Sequence, residues 1–354
     1  MAFDTVAVVG GGPGGLRAAQ SIADIGGKVL LIEKRDFLGG TPVAENYAGL
    51  TPYGAEAEPQ MQSMAEAVTS NPNAQVRLST EVVGFAGEPG SYSVTLRGPD
   101  GEESVDVGAV IVATGFQHFD PGRETQFYGY YEYEDVLTLT DLEAMLKQHQ
   151  VVRPSTGEAP KSLCFIQCVG SRDRQIGNEY CSKVCCGIAS KEAIEVRELL
   201  PDCKVYIFYI DMRMYGYWES QIYWPAQEKH HVQYVKGMVT EVLKKGDGLL
   251  IRGEDTTMGR PMEIPMDMVV LSVGMEPSAG TRTMARVLGV QQNKYGFIEA
   301  AGSPLDPVST DRDGIYACGA ALGPADLEDT VSSASNAAMK AMAFVRSQAA
   351  AAAN

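Results

Sequence analysis

Histidine is scarce in this sequence, with four residues in all, so histidine-ligated metal chemistry and hydrolytic triads have little to draw on. Basic residues are a minority too. Twenty-nine Lys and Arg stand against 45 Asp and Glu, for a formal net charge of −16. That excludes a protein whose work is to coat nucleic acid, because phosphate binding needs clustered positive side chains. It favours a soluble protein with some attraction for a basic partner. No stretch approaches the ~18 apolar residues of a membrane helix. The start, Met1-Ala2-Phe3-Asp4-Thr5, has no basic region of a secretory signal, which predicts a cytoplasmic protein whose thiols stay reduced. Seven cysteines are too few for a disulfide scaffold and odd in number, so they read as buried, reactive or metal-binding thiols.

What is present is length and glycine. The 354 residues suffice for two or three domains. Glycine reaches 38 residues, well above the usual ~7%, and part of that excess falls in one place. Thr5-Val6-Ala7-Val8-Val9 is a short β-branched run, as expected of a buried parallel strand. Gly10-Gly11-Gly12-Pro13-Gly14-Gly15 follows, and Gly10, Gly12 and Gly15 fit G-x-G-x-x-G. Leu16, Ala19, Ile22 and Ala23 then recur at helical spacing up to Gly26-Gly27. A second strand pattern, Lys28 to Ile32, ends at Glu33. Gly10 allows the tight turn, Gly12 lets backbone approach a pyrophosphate, and Gly15 permits close helix–strand packing. The helix N-terminus offers free N–H groups and a positive dipole end to phosphates, and Glu33 is placed to accept ribose hydroxyls. Strand, loop, helix, strand and acid in that order make a strong dinucleotide signature.

The motif alone does not separate FAD from NAD. Two later segments do. Val110-Ile111-Val112-Ala113-Thr114-Gly115 is a strand pattern ending in A-T-G, and Thr310 to Gly319 is another ending in glycine before an Ala-rich helical run. Together these resemble the two-dinucleotide-binding-domain flavoproteins, the thioredoxin and glutathione reductases, and imply an α/β fold with bound FAD. In that family Asp follows the second glycine; here Gly319 is followed by Ala320.

The chain also repeats itself. Thr80-Glu81-Val82 recurs as Thr240-Glu241-Val242, and Ala109 to Gly115 recurs as Met268 to Gly274. The repeat predicts two Rossmann-like units, the second inserted in the first. The expected boundaries are 1–150 for the first part of the FAD-binding domain, 151–295 for the inserted domain, and 296–354 for the closing part. The second copy keeps its opening strand, Leu163 to Gln167, and its acidic strand end, Lys204 to Asp211. It lacks the glycine loop. The copies slip by 16 residues where the loop should be, and the slip coincides with a group of cysteines. An insertion at a phosphate loop abolishes the convergence of backbone N–H groups that dinucleotide binding needs.

Cys168, Cys181, Cys185 and Cys186 follow C-x12-C-x3-C-C. Thiolates prefer soft metals, so iron–sulfur or zinc comes first; redox-active and merely structural thiols stay open on spacing alone. Zinc held by four cysteines usually comes as paired C-x2-C units, which are absent. The string Phe165 to Asp173 with Tyr180-Cys181-Ser182-Lys183-Val184-Cys185-Cys186 resembles the signature of the A subunits of heterodisulfide reductases. Gly323 to Thr330 resembles that family's C-terminal flavin segment. The resemblance implies a 4Fe–4S cluster on Cys168, Cys181, Cys185 and Cys186 beside FAD. It implies flavin contacts at Gly10, Gly12, Pro13, Gly14, Gly15, Glu33, Lys34, Gly40, Thr41, Val82, Ala113, Thr114, Gly115, Gly319, Ala320 and Thr330.

The methanogen enzymes are much longer and carry ferredoxin-like modules; this chain has no C-x2-C-x2-C-x3-C run. Its length resembles the short A subunit of the heterodisulfide-reductase-like complex of sulfur oxidisers. That resemblance implies B- and C-type iron–sulfur partner subunits, a lipoate-binding protein and a homodimer within the complex. The related subunit of the quinone-interacting complex of sulfate reducers is the alternative. A stand-alone NAD(P)H-dependent disulfide reductase would need a flavin-facing C-x4-C or C-x2-C pair and a second glycine loop, and has neither. No residue is assigned a catalytic role in the strict sense. Cys164 and Cys318 read as core, Cys203 as a loop thiol, and His230-His231 as a solvated pair. Tyr128 to Tyr133 reads as a packed linker, with flavin cover or a partner face as alternatives. The Ala349–Ala353 run before Asn354 reads as a frayed end.

Overall fold

A computed structural model of the chain describes residues 3–52, 54–123 and 128–353, leaving positions 1, 2, 53, 124–127 and 354 outside the described residues. The chain divides into two compact units. The first comprises residues 1–44, 58–117 and 276–354, and the second comprises 45–57 and 118–275.

In the first unit a parallel sheet runs in the order Ile315–Ala317, Ala109–Val112, Thr5–Val9, Lys28–Ile32, Ala74–Arg77. Strand side chains alternate between faces. Val6 and Val8 join Leu16, Ala19 and Ile22 of the Pro13–Asp24 helix and Ala334, Ala338 and Ala341 of the Leu327–Ala353 helix. Ala7 and Val9 face the opposite way, toward Tyr92, Val94 and Leu96 of an antiparallel meander and Met284 and Leu288 of the Ala279–Leu288 helix. The strand near Ile315 therefore closes the first sheet from the far end of the chain, as the repeat predicts.

The second unit repeats the plan. Its sheet runs Val136–Thr138, Met268–Val273, Ser162–Val169, Lys204–Tyr209, Gln233–Lys245, and ends in the antiparallel strands Gly248–Asp255 and Arg260–Met266. Leu163 and Phe165 pack under the Cys185–Leu199 and Leu139–Lys147 helices. Cys164 and Ile166 pack on the other face with Val242, Leu249 and Ile251 of the meander. Both meanders carry a bulge on their first strand, between Val82 and Gly84 and between Val239 and Glu241. Both are tied by an arginine–glutamate pair across strands, Arg97–Glu102 at 2.7 Å and Arg252–Glu263 at 2.7 Å.

The unit boundaries differ from the expected 150/151 and 295/296. Val136–Thr138 hydrogen-bonds into the second sheet, so that unit begins well before 151. The Ala279–Leu288 helix buries Met284, Ala285 and Leu288 in the first core, so the second unit ends at 275. Residues 45–57 also leave the first unit, carrying Ala48 to the second core. The alanine run is not frayed: it continues the Leu327–Ala353 helix, in keeping with alanine's high helix propensity.

Candidate functional site

Two strand-to-helix junctions occupy equivalent places in the two units. In the first, the glycine loop links Thr5–Val9 to the Pro13–Asp24 helix, with Gly12 as N-cap and Pro13 at the first helical position. Gly10 takes φ +113°, where a side chain would strike the backbone of Ala113. A Cβ at Gly15 would overlap the Gly10 carbonyl oxygen. Gly12 is different: a Cβ there would find only Gly40 Cα, at 3.5 Å. The open side of the loop is thus at Gly12, where the first-turn N–H groups have no intrahelical acceptor. Thr330 closes on the junction, its Cγ2 3.2 Å from a Cβ position at Gly14 and 2.8 Å from one at Gly319. This cradle of glycine backbone and helix N-terminus fits a pyrophosphate of the FAD type.

Glu33 is buried at 6% exposure and accepts from Gly11 N at 2.6 Å and Arg35 N at 2.8 Å. It therefore fixes the loop as well as standing at the strand end expected of a ribose-binding acid. Gly40 lies beside Gly12, and Thr41 begins the Thr41–Ala44 helix. Ala113 N donates to Val9 O at 2.8 Å, and Thr114 Oγ1 lies 2.8 Å from Thr281 Oγ1. Gly115 has φ +67°, and Gly319 N donates to Ser333 Oγ at 3.0 Å. Ala320 and Val82 are buried, Val82 in the core, and Lys34 is exposed.

In the second unit the junction is made of cysteines. The strand pairing shifts register between Ile166 and Val169, and Cys168 sits in that bulge with φ +65°. The chain then folds back through Asp173 and Asn178, with Arg172 N donating to Tyr180 O at 2.8 Å and Asn178 Nδ2 to Gly170 O at 3.0 Å. Tyr180 Oη donates to Met275 O at 2.8 Å, and Met275 N donates to the fully buried Ser182 Oγ at 2.9 Å. Lys183, with φ +67°, donates its N–H to Cys181 Sγ at 3.3 Å. Cys185 and Cys186 are the first residues of the following helix, at its positive dipole end. Trp218 packs over this start, against Gly187, which has no room for a side chain.

The thiols of Cys168, Cys185 and Cys186 are perturbed by their neighbours. A hydrogen bond from Cys185 to Cys186, followed by burial, raises the Cys185 thiol; the same bond lowers Cys186, with Arg172 and Arg213 adding to it. Burial, then the charge of Cys186, pushes Cys168 up to about 11 against the pull of Arg172. Among the described residues no three His, Cys, Asp or Glu side chains converge as ligands of one ion. The donor set nevertheless fits a thiolate-held cluster: four sulfurs from a bulge, a turn and a helix N-terminus, an N–H aimed at sulfur, and two arginines to balance charge.

Cys164 and Cys318 are buried as expected. Cys203 lies between elements but is also buried, in the core with Val205 and Ala226, so it is not a free loop thiol. Tyr128, Tyr130 and Tyr133 pack on the second core while Tyr131 stays 73% exposed, so the tyrosine segment is a packed linker. His231 is exposed, and His230 is partly buried, its carbonyl holding Arg197 Nε at 2.8 Å. Sequence reasoning missed one group: Glu45, Tyr47, His118, Glu143, Lys191, Glu192 and Glu195, which meet inside the second unit. Its only sequence signal is Lys191-Glu192 between the core positions Ala189 and Ala193.

Residues 4–341 match the pyridine nucleotide-disulphide oxidoreductase family. The chain is similar in structure to thioredoxin reductase of T. acidophilum, with TM-score 0.65 and 19% identity over 96% of this chain and 98% of that one. It is likewise similar to thioredoxin reductase of Lactococcus lactis, with TM-score 0.63 and 17% identity over 97% and 99%. The fold is therefore that of the two-dinucleotide-binding flavoproteins, and the chain belongs to this class of oxidoreductase.

Curated relatives narrow the class. The A subunit of the H(2):CoB-CoM heterodisulfide,ferredoxin reductase of Methanothermobacter marburgensis is 40% identical over 246 residues, 68% of this chain and 37% of that protein. The A subunit of the H(2)/formate:CoB-CoM heterodisulfide,ferredoxin reductase of Methanococcus maripaludis is 39% identical over 255 residues, 70% and 38%. An iron-sulfur A subunit of the CoB--CoM heterodisulfide reductase of Methanopyrus kandleri is 39% identical over 243 residues, 67% and 37%. About two thirds of this chain is similar to the A subunits of heterodisulfide reductases, and the match spans little more than a third of those relatives. No helix among the described residues is long and apolar enough to cross a membrane.

Proposed function

We propose that the chain is an FAD- and 4Fe–4S-containing electron-transfer subunit of a heterodisulfide-reductase-like complex, working in the cytoplasm on sulfur oxidation. The observation that carries this reading is substitution at one structural position. Where the first unit has a glycine loop at a helix N-terminus, the second has Cys168, Cys181, Cys185 and Cys186. Flavin exchanges electrons in pairs and an iron–sulfur cluster singly, so the two together convert one kind of transfer into the other.

The residues have separate tasks. The N–H groups after Gly12 hold phosphate, and Glu33 shapes the loop. The Lys183 N–H, the helix N-terminus and Arg172 and Arg213 stabilise negative charge on sulfur. B- and C-type iron–sulfur subunits and a lipoate-binding protein are the partners this reading implies, with two copies of the chain in the complex. A methanogen-like activity on the CoB-CoM heterodisulfide is not carried over, because the matched region is a minor part of those proteins.

Anaerobically purified protein is expected to carry flavin and roughly four irons per chain. Cys185→Ser should lose iron while keeping flavin. Zinc in place of iron, or unchanged iron in Cys185→Ser, would overturn the cluster assignment. Rapid flavin reduction by NADH alone would favour a stand-alone reductase instead.

A further inference from the structure

The second sheet turns two polar side chains into its core at the level of the cysteine junction. Leu163 and Phe165 lie on the face covered by the Cys185–Leu199 helix, and Cys164 and Ile166 lie on the opposite face. Alternation puts Gln167, the next residue, on the helix-covered face. In the neighbouring strand Met268 and Val270 share the core under that helix, while Leu271 and Val273 face away from it. Ser272, between those two, therefore faces the helix as well. Gln167 is 6% exposed and Ser272 is fully buried.

The bulge sets these residues against one another. Ile166 pairs with Leu271 and Val169 with Val273, so Gln167 and Cys168 together stand opposite Ser272 alone. All three lie at the carboxyl ends of parallel strands, the end at which sheets of this kind take their ligands. The helix over this face begins with Cys185, which shares the core of Leu163, Phe165, Met268 and Val270.

Neither amide atom of Gln167 has a hydrogen-bond partner among the described residues, and the Ser272 hydroxyl has none either. Buried polar side chains are paired as a rule, because an unmade bond leaves the whole desolvation cost uncompensated. Methionine and alanine would fill the same two places without that cost. The amide and the hydroxyl thus point to an acceptor that the polypeptide does not supply. Their chemistry narrows it: Gln167 brings two N–H donors and Ser272 one O–H, all neutral. The acceptors expected beside Cys168 and Cys185 are the thiolates and sulfides of an iron–sulfur cluster.

We propose that Gln167 and Ser272 donate hydrogen bonds to the sulfur atoms of the cluster on Cys168, Cys181, Cys185 and Cys186, and thereby raise its reduction potential. The proposal rests on the cluster reading above. Reduction adds negative charge at sulfur, and N–H and O–H dipoles aimed there stabilise the more negative state. Neither side chain gains or loses a proton, and no bond within them changes. They tune the cluster without ligating it.

Gln167→Met nearly keeps the side-chain volume and removes the donor; Ser272→Ala removes the hydroxyl. In the full chain, loaded anaerobically, both variants should keep iron and flavin and show a lower cluster midpoint potential in a redox titration followed by electron paramagnetic resonance. The double variant should lie lower than either. Wild-type protein carrying isotopically labelled nitrogen in its glutamine side-chain amides should show, in pulsed resonance spectra of the reduced cluster, a coupling to that nitrogen, and Gln167→Met should lose it. Iron-loaded variants with the wild-type potential would overturn the proposal. So would a wild-type cluster without the amide coupling, a result that needs no variant to assemble. A wild type that binds no iron defeats the cluster reading itself, and the iron assay tells that failure from the other two.

Discussion

The two glycines that bracket the first turn of the phosphate loop fail in different ways when given a methyl group. At Gly15 a Cβ would drive into the Gly10 carbonyl oxygen, which is backbone and cannot rotate away. Overpacking of this kind costs about 1–3 kcal/mol or more, so Gly15→Ala should lower the melting temperature of the protein with or without flavin. At Gly12 a Cβ meets only Gly40 Cα at 3.5 Å, an ordinary contact, but it fills the side where a pyrophosphate would approach. Gly12→Ala should therefore keep the flavin-free melting temperature and lose flavin affinity. Calorimetry of both variants, with and without added FAD, separates the two. Equal loss of stability in both would show that Gly12 is a packing residue and not a contact surface.

At the scale of elements, the linker that enters the second unit is pinned by Asp135, whose side chain is fully buried. Arg153 Nη2 lies 2.8 Å from it, Ser155 Oγ donates at 2.6 Å and Ser155 N at 3.1 Å. Arg153 also holds the carbonyl of Asp247, tying the linker to the turn between two meander strands. Burial alone would raise the Asp135 carboxyl, but the hydrogen bonds from Ser155 and Arg153 outweigh it and hold the group below its usual value. For a depressed acid the stabilisation is present above the unfolded value of about 3.9 and is lost as pH falls through the folded one. Asp135→Asn should thus be less stable than wild type at neutral pH, and the gap should close as pH drops below about 4. Chemical denaturation at stepped pH measures it, and a gap that stays constant would deny the ion pair its role.

The same elements show what a single sequence makes legible and why. The glycine loop, both meanders and both closing strands follow from local rules: β-branched runs, helical spacing and a repeated Thr-Glu-Val. The cysteine junction is legible as a departure from the repeat. The unit boundaries are not, because Val136–Thr138 joins the second sheet through pairing with Met268–Val273, a contact with no local signature. Nor is the Glu143–Lys191 ion pair, whose members are distant in sequence and are brought together by two helices packing on one sheet face. Burial of Cys203 is hidden for the same reason: the surrounding loop looks polar, and only the tertiary core covers it.

For the whole molecule the dominant quantity is the net charge of −16. Attractive exposed pairs exist, such as Lys28–Asp4 at 2.7 Å and Arg97–Glu102 at 2.7 Å, but pairs this open to water contribute little and salt weakens them. The excess of like charge acts over longer distances and opposes the compact state. Raising ionic strength from 0.01 to 0.15 M shortens the screening length from ~30 to ~8 Å, which removes most of that repulsion. The buried set around Lys191 is shielded from the same change. Repulsion and the exposed pairs therefore respond to salt with opposite sign, and the long-range term is the larger because it sums over every unbalanced carboxylate. Melting temperature should rise with sodium chloride over this range and level off above it. A fall would mean that the surface pairs, rather than the surplus of Asp and Glu, govern the stability of the chain.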